Sequence, residues 1–308
     1  MASTASVAVL LCTYDGDAFL AAQLESIAAQ RGPDVRLYVS DDGSSDGTLE
    51  LLKHYQVRWS EDRLSIRHGP RQGYVANFFF LVCASDISAE TYAYADQDDL
   101  WDADKLSRAT AALCSLPAET PALYCSRSRL IDEQGAAVGY SPLFRKPPGF
   151  ANALVQNIGG GNTMVFNHAA RELLRAAGPV DVVSHDWWTY LLVAGAGGTV
   201  IYDPEPSISY RQHGHNLIGS NMSFRERVAR LRMVLRSRNR EWNDRHVNTL
   251  QQCRLLLAPD NLEVLEQFSS ARNEGLIPRL LGVWNSGIYA QTLLGNLGMI
   301  AATFLKKI

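Results

Sequence analysis

The sequence Asp96-Gln97-Asp98-Asp99 is the part of this chain whose chemistry is easiest to interpret. It follows a run of five residues, 91–95, that has the composition of a buried β-strand. Asp96 and Asp98 lie two residues apart, so both carboxylates can bind one hard divalent cation and leave coordination positions for phosphate oxygens and water. The same acidic residues would also suit the start of a helix, because the helix dipole favours negative charge there. The motif is too short to decide between these two interpretations by itself.

Three further strand-like runs precede this motif, at residues 7–11, 35–39 and 64–66, and a stretch with helical spacing follows each of them. Strands that alternate with helices predict an α/β fold with a doubly wound, mostly parallel sheet. Ligands of such sheets bind beyond the carboxyl ends of the strands. We therefore expect one crevice to collect the polar residues that follow the strands, although Asp and Ser also serve as ordinary turn and cap residues. These residues are Thr13, Asp15, Asp41, Asp42, Asp96, Asp98 and Asp99.

A second acidic candidate, Asp186, lies in the sequence Ser184-His185-Asp186-Trp187-Trp188 and precedes a predicted buried helix over 187–194. A carboxylate there can act as a general base that accepts a proton from an attacking hydroxyl group. Asp is also a common N-cap residue, and the sequence leaves both roles open. His185 is an alternative base, because histidine is the most frequent general base. Upstream, the three glycines at 159–161 allow a close approach of the backbone to a ligand, or form a hinge.

Three segments, each after a predicted strand, occur in an order that resembles the inverting family 2 glycosyltransferases of the GT-A fold. They read LLCTYDGDAFLAAQLESIAAQ, VSDDGSSDGT and YADQDDLWDADKL, and the resemblance covers about residues 7 to 216. It implies that the first loops bind the nucleotide and that the D-x-D motif serves nucleotide and metal. The implied nucleotide-binding residues are Thr13, Tyr14, Asp41, Asp42, Asn77 and Asp96. Asp98 is implied as a direct metal ligand and Asp186 as the catalytic base.

The segment from Tyr210 to Asn216 resembles the Y-R-Q-H-x-x-N stretch of family 2 rhamnosyltransferases that use dTDP-L-rhamnose. The resemblance implies that Arg211 binds the diphosphate and that His213 binds metal or diphosphate. Arg can pair with diphosphate oxygens, and a neutral imidazole is a metal ligand. A surface loop with incidental histidines is the alternative. The implied cofactor is Mg²⁺ or Mn²⁺.

Several classes of protein are disfavoured by what the sequence lacks. It contains neither a G-x-x-x-x-G-K-[ST] loop nor a G-x-G-x-x-G motif after the first strand, which argues against P-loop nucleotidases and dinucleotide-binding enzymes. The Q-x-x-R-W signature of processive family 2 synthases is also missing, so we expect addition of a single sugar. The 29 Lys and Arg against 32 Asp and Glu give a net charge of −3, which does not suit a nucleic-acid binder.

The location and the domain organisation are predicted from the same sequence. Five separated cysteines and a start without a basic, apolar secretion signal predict a reducing, cytoplasmic location. The βα pattern predicts a catalytic domain over 1–216, with a nucleotide-binding half over about 1–100 and an acceptor half over about 101–216. The patterning then becomes helical over 217–308.

The C-terminal region contains two stretches that suit a membrane surface. Residues 224–245 combine eight arginines with an apolar stripe, and residues 280–305 contain no charged residue. The second stretch has many polar residues and four glycines, so we expect a helical hairpin rather than a membrane span. Both stretches predict peripheral contact with the cytoplasmic face of the inner membrane, or packing on the catalytic domain.

The resemblance implies an inverting glycosyltransferase that moves a single sugar, L-rhamnose from dTDP-L-rhamnose. The implied acceptor is a saccharide or lipid-linked glycan that belongs to a cell-surface glycan such as lipopolysaccharide or O-antigen. The same fold with another donor, such as a UDP-hexose, is the alternative within this class of enzyme. A non-catalytic scaffold that binds a glycan or nucleotide is the alternative outside it.

Overall fold

The computed structural model describes residues 5–213 and 238–308. Its first part alternates strands and helices in the predicted order, and each predicted element is present with bounds that differ by a few residues. These elements are β1 (Ser6–Thr13), α1 (Asp17–Ala28), β2 (Asp34–Asp41), α2 (Thr48–Trp59), β3 (Leu64–His68), α3 (Tyr74–Cys83) and β4 (Thr91–Ala95).

The middle part of the chain has shorter strands. Its elements are β5 (Leu100–Trp101), α4 (Lys105–Cys114), β6 (Ala122–Ser126), β7 (Arg129–Ile131), β8 (Ala137–Tyr140), α5 (Phe150–Ala153), β9 (Val165–Asn167), α6 (His168–Ala177), α7 (His185–Gly195), β10 (Thr199–Asp203) and β11 (Ile208–Arg211). The described C-terminal helices are α8 (Arg238–Gln252), α9 (Pro259–Asn273), α10 (Leu276–Asn285) and α11 (Leu293–Phe304).

The central sheet has seven strands in the order β10-β6-β9-β4-β1-β2-β3. All neighbours are parallel except β9, which pairs antiparallel with β4 and β6. The mostly parallel sheet is therefore confirmed. Thr13 pairs in register with Asp41, and Leu11 with Ala95, so the loops after β1, β2 and β4 begin at one edge of the sheet.

The sheet is covered on both faces, as expected for parallel strands with helical connections. Along β1, Ala8 and Leu10 belong to one buried apolar cluster, whereas Val7 and Val9 belong to the other. Strand β1 is therefore a continuous apolar run because both of its faces are in the core. Burial on both sides fixes where the strand ends, and so fixes the position of Thr13.

A second, four-stranded sheet with the order β5-β11-β7-β8 was not predicted from the sequence. Strand β11 pairs antiparallel with β5 and parallel with β7. Strands of two to four residues are too short to show a period, which explains why the sequence pattern did not reveal this sheet. The pairing of β11 with β5 returns the chain to the D-x-D motif after more than a hundred residues.

The described C-terminal helices pack on the sheet and its helices. Leu250 of α8 and Phe268 of α9 lie in the same buried apolar cluster as Trp188 of α7. The predicted hairpin over 280–305 is confirmed as α10 and α11, and no described helix is long and apolar enough to cross a membrane. Most of the predicted arginine-rich helix, residues 224–237, lies outside the described residues.

Candidate active site

The loops after β1 and β2 are joined by the carboxylate of Asp41. Its Oδ2 accepts hydrogen bonds from Thr13 Oγ1 at 2.8 Å and from Ser44 Oγ at 2.5 Å. Its Oδ1 accepts hydrogen bonds from the backbone N–H groups of Gly43 at 3.1 Å and Ser44 at 2.9 Å. Thr13 and Asp41 are both buried. Two of the predicted nucleotide-binding side chains are therefore held together and fix the shape of these loops.

Asp42 and Asn77 are buried, and their side chains form hydrogen bonds within the protein. Asp42 accepts hydrogen bonds from the backbone N–H groups of Arg71 at 2.7 Å and Gly73 at 2.8 Å. The amide of Asn77 donates to the Ser40 carbonyl at 2.8 Å and accepts from the Ser40 hydroxyl at 2.6 Å. This geometry favours a supporting role for both side chains, and their direct contact with a nucleotide stays a prediction.

Gln97 connects the first loop to the D-x-D motif, a link that sequence reasoning missed. The backbone N–H of Tyr14 donates to Gln97 Oε1 at 2.9 Å, and Gln97 Nε2 donates to the Tyr14 carbonyl at 3.0 Å. A Cβ atom on Gly16 would lie 2.2 Å from Gln97 Oε1, so a larger residue at this position would displace the Gln97 amide from Tyr14. The Tyr14 side chain is 59% exposed, which leaves its ring available to a ligand. The only sequence signal for Gln97 was its place between the two aspartates.

The charge of Asp186 interacts with that of Asp96, although the two residues are far apart in the sequence; Asp98 interacts with Asp96 as well. The pKa of Asp96 is raised to about 8, first by burial and then by the negative charges of Asp98 and Asp186. Like charges close together disfavour ionisation, and a cation or a proton relieves the cost. The predicted metal and nucleotide carboxylates and the predicted base therefore lie close enough for their charges to interact.

His213 lies beside Asp98, as the predicted metal site requires. His213 Nε2 and Asp98 Oδ2 are 2.7 Å apart, and the two side chains are largely buried. Within residues 5–213 and 238–308, no group of three or more His, Cys, Asp or Glu side chains is arranged to hold a metal ion. An imidazole nitrogen and a carboxylate oxygen are suitable ligands for a divalent metal, with phosphate oxygens and water completing the shell. The residues present thus fit the implied cofactor.

Arg211 supports the backbone of the D-x-D motif. Its guanidinium donates to the carbonyls of Asp98 at 3.0 Å and Glu133 at 2.8 Å, and it lies 4.7 Å from the ring centroid of Phe19. The Arg211 side chain is buried. These bonds to backbone carbonyls show that Arg211 positions the D-x-D motif, and its direct contact with the diphosphate stays a prediction.

Asp99 is a second supporting residue that was assigned no separate role from sequence. Its carboxylate accepts hydrogen bonds from Asn162 Nδ2 at 2.5 Å and from the backbone N–H of Arg211 at 3.2 Å. Asp99 is completely buried, and burial together with Asp98 and Asp96 raises its pKa. It ties the D-x-D motif to β11 and to the segment after the three glycines.

Asp186 lies in the first turn of α7, and Ser184 rather than Asp186 occupies the N-cap position. Its Oδ2 accepts hydrogen bonds from Asn157 Nδ2 at 3.0 Å and from the backbone N–H of Gly161 at 3.1 Å. A Cβ atom on Gly161 would lie 2.5 Å from His185 Nε2, so the glycine permits this approach of the backbone to α7. The glycine segment therefore approaches the protein's own helix and orients the Asp186 carboxylate.

His185 is poorly placed to serve as the alternative base. Its ring is stacked on Phe78 at 3.7 Å between centroids and contacts Tyr94 edge-on. In the described part of the chain neither ring nitrogen has a hydrogen-bond partner, and burial lowers the pKa of His185 to about 4. A buried neutral imidazole of this kind is a packing element of the core.

Comparisons with known proteins agree with the fold. A family model described as glycosyl transferase family 2 matches residues 8–135. The chain is 28% identical to the dTDP-rhamnosyl transferase RfbG of Shigella flexneri over 238 residues, 73% of this chain and 78% of that protein.

Solved structures are similar over nearly the whole chain. Staphylococcus aureus TarS residues 1–349 in complex with UDP-GlcNAc matches with a TM-score of 0.55 at 14% identity, covering 98% of this chain and 90% of that one. The mannosyltransferase PcManGT of Pyrobaculum calidifontis, in complex with GDP-Man and Mn²⁺, matches with a TM-score of 0.54 at 17% identity, covering 99% and 86%. Residues 8–135 thus match the glycosyl transferase family 2 model, and the chain has the fold of the GT-A glycosyltransferases.

Proposed function

We propose that this glycosyltransferase moves a single sugar with inversion, from dTDP-L-rhamnose to a hydroxyl group of a saccharide acceptor. The observation that supports the proposal is that the charges of Asp98 and Asp186 both act on the buried Asp96 carboxylate, so the three carboxylates lie close together. One carboxylate thereby faces the acceptor side of the reaction while two others serve the donor diphosphate.

In this reaction the Asp186 carboxylate accepts the proton of the acceptor hydroxyl as its oxygen attacks the anomeric carbon. A bond forms between the acceptor oxygen and the anomeric carbon, and the bond from that carbon to the diphosphate oxygen breaks on the opposite face. Asn157 and the Gly161 N–H orient Asp186 through Oδ2, while Oδ1 accepts from the Trp187 N–H at 2.7 Å. The carboxylate is therefore fixed before the acceptor binds.

Asp98 and His213 are the residues that would hold Mg²⁺ or Mn²⁺, with Asp96 close by. A divalent ion supplies charge neutralisation for the leaving diphosphate. The donor set of one carboxylate and one imidazole supports this proposal, as does the unfavourable clustering of carboxylates around Asp96. Tyr14, Thr13 and Asp41 would form the nucleotide side of the crevice.

The choice of rhamnose rests on the similarity to the Shigella dTDP-rhamnosyl transferase and on the Tyr210–Asn216 segment. A UDP-hexose on the same site is the competing donor. We further propose that residues 1–216 form the catalytic domain, that the enzyme works in the cytoplasm, and that the acceptor belongs to a cell-surface glycan.

The donor proposal is tested by thermal-shift titration with dTDP-L-rhamnose, UDP-hexoses and GDP-mannose, each with Mg²⁺ or Mn²⁺. We expect the largest stabilisation with dTDP-L-rhamnose, because ligands that bind the folded state raise the melting temperature. Stabilisation by UDP-sugars without any by dTDP-L-rhamnose would contradict the donor assignment. Nuclear magnetic resonance of the product, showing inverted anomeric configuration, tests the reaction type.

A further inference from the structure

Helices α10 and α11 present large apolar side chains to solvent on their outer sides. On α10 they recur at the helical spacing i, i+4 and i+7, and Trp284 is 81% exposed. On α11 the spacing is the same, and Leu293 is 78% exposed. We call this surface the outer face and define it by Ile277, Leu281, Trp284, Leu293, Leu297 and Ile300.

The opposite sides of both helices are packed, so this exposure is not a sign of loose helices. Arg279 and Val283 of α10 are buried. Arg279 donates to the carbonyl of Thr303 at 2.7 Å and to that of Phe304 at 3.3 Å, which places α10 alongside the end of α11. Each of the two helices therefore turns a packed side to the protein and exposes apolar side chains on its other side. Monomeric proteins rarely leave such a patch without a partner.

The charges around the outer face indicate the partner. No Asp or Glu follows Glu274 in the sequence, whereas Lys306 and Lys307 at the end of α11 are basic. Arg240 of α8 donates to the Lys306 carbonyl at 3.2 Å, and its own charge is paired with Asp244 at 3.7 Å. An apolar face with a basic edge is complementary to an anionic lipid surface. A protein interface would instead carry polar groups distributed over its rim.

The lengths of the two helices decide whether they could cross a bilayer or would lie on its surface. Helix α10 has 10 residues and α11 has 12, which correspond to about 15 and 18 Å. The apolar core of a bilayer is about 30 Å thick, so neither helix can cross it. Helices of this kind lie in the interface, and tryptophan is favoured at that depth.

The connection between α10 and α11 is attached to the segment that supports Asp186. Tyr289 donates to the Pro147 carbonyl, and the Gln291 N–H donates to Gln156 Oε1 at 2.8 Å. Gln156 is followed directly by Asn157, which holds the Asp186 carboxylate. A lipid surface at the outer face would therefore be mechanically linked to the acceptor side of the site.

We propose that the outer face docks on an anionic lipid surface, with the apolar side chains of α10 and α11 inserted at the level of the headgroups. This binding requires neither donor nor metal, and it is independent of the sugar that the enzyme transfers. It would hold the acceptor side of the crevice at the height of a lipid-linked acceptor.

Vesicle flotation tests the proposal with the full chain. We expect the wild type to float with vesicles of phosphatidylcholine and phosphatidylglycerol, and to float less with phosphatidylcholine alone. The variant Leu281→Ser/Trp284→Ser/Leu297→Ser should bind at least about tenfold more weakly, since a tenfold change requires only about 1.4 kcal/mol. Leu255→Ser is the matched control, because Leu255 is 95% exposed but lies outside the outer face.

Equal flotation of the triple variant and the wild type would overturn the proposal. So would a wild type that stays unbound, or one that forms a dimer dispersed by the same three substitutions without vesicle binding. Tryptophan fluorescence gives a second readout that does not depend on the triple variant. Trp284 is the one exposed tryptophan of the six, all of which are described. Brominated lipid chains should quench the wild type more than Trp284→Phe, and equal quenching would contradict insertion.

Discussion

The two acidic loops of the crevice differ in how their carboxylates are satisfied. In the loop after β2, Asp41 accepts four hydrogen bonds and Asp42 accepts two, all from groups of the protein. In the loop after β4, the groups that shift the pKa of Asp96 besides burial are two other carboxylates, Asp98 and Asp186. In the first loop the carboxylates of Asp41 and Asp42 already accept hydrogen bonds from the protein. The second loop concentrates negative charge that a bound cation would neutralise.

This difference separates residues that build the site from residues that act on a ligand. A carboxylate saturated with protein donors stabilises the fold, and its loss leaves buried donors unpaired. A carboxylate among like charges costs stability, and natural proteins retain such groups mainly at functional sites. Four predictions follow in order of decreasing effect, and those for Asp186, Asp41 and Asp98 test this division.

Asp186→Asn should lower the rate of transfer by about a thousandfold, because general bases contribute 10²–10⁴-fold. The amide oxygen can still accept from Asn157 and Gly161, although the Trp187 N–H then loses its acceptor. These contacts do not involve the proposed nucleotide-binding residues, so nucleotide binding should remain. Transfer kinetics and calorimetric titration with nucleotide measure the two effects. Asp181→Asn is the control, because Asp181 is exposed and lies outside the crevice. Unchanged transfer by Asp186→Asn would refute the assignment of the base.

Asp41→Ala should lower the free energy of unfolding by about 3 kcal/mol, with or without metal. The substitution leaves Thr13 Oγ1 and the N–H groups of Gly43 and Ser44 without their acceptor, and each unpaired buried donor costs about 1–3 kcal/mol. Urea denaturation measures the change. Asp62→Ala, at an exposed position, should stay within about 0.5 kcal/mol of the wild type. A loss of stability only in the presence of metal would place Asp41 with the ligand-binding carboxylates instead.

The buried His246 of α8 should make the stability of the protein depend on pH. Burial lowers its pKa from 6.5 to about 4, so the unfolded chain takes up a proton before the folded protein does. Stability from this group is complete above pH 6.5 and is lost as the pH falls towards 4. Between pH 7.5 and pH 5, the stability advantage of the wild type over His246→Gln should shrink by about 2 kcal/mol. A pH-independent difference in urea denaturation would show that His246 is not buried as a neutral group.

Asp98→Asn should have the smallest effect on the fold. In metal-free protein we expect the free energy of unfolding to stay the same or to rise by about 1 kcal/mol or less, because one like charge beside Asp96 is removed. Asparagine can still pair with His213. A loss as large as that expected for Asp41→Ala would mean that Asp98 is a structural carboxylate and would remove the distinction between the two loops.

The sequence predicted the elements that are long and periodic, and the crevice that their ends define. Strands β1, β2 and β4 are apolar runs with polar residues directly after them, so the meeting of Thr13, Asp41 and Asp96 followed from the topology of parallel strands. The small sheet that contains β11 could not be predicted, because its strands are two to four residues long.

The supporting contacts also escaped prediction, since they depend on tertiary structure rather than on local pattern. Gln97 pairs with the backbone of Tyr14, and Arg211 reaches the carbonyl of Asp98 across more than a hundred residues. The order of motifs identified Asp186, but only the structure shows that Asn157 and Gly161 orient it. The sequence likewise indicated a hairpin near the C-terminus without showing that its apolar sides face outwards.

Calorimetric titration of dTDP into wild type and Asp98→Asn, with and without Mg²⁺ or Mn²⁺, tests most directly whether the second acidic loop binds the diphosphate through a cation. We predict that metal strengthens binding to the wild type by at least about tenfold, which corresponds to about 1.4 kcal/mol, and has little effect on Asp98→Asn. An equal gain from metal in both proteins would contradict the assignment of this loop.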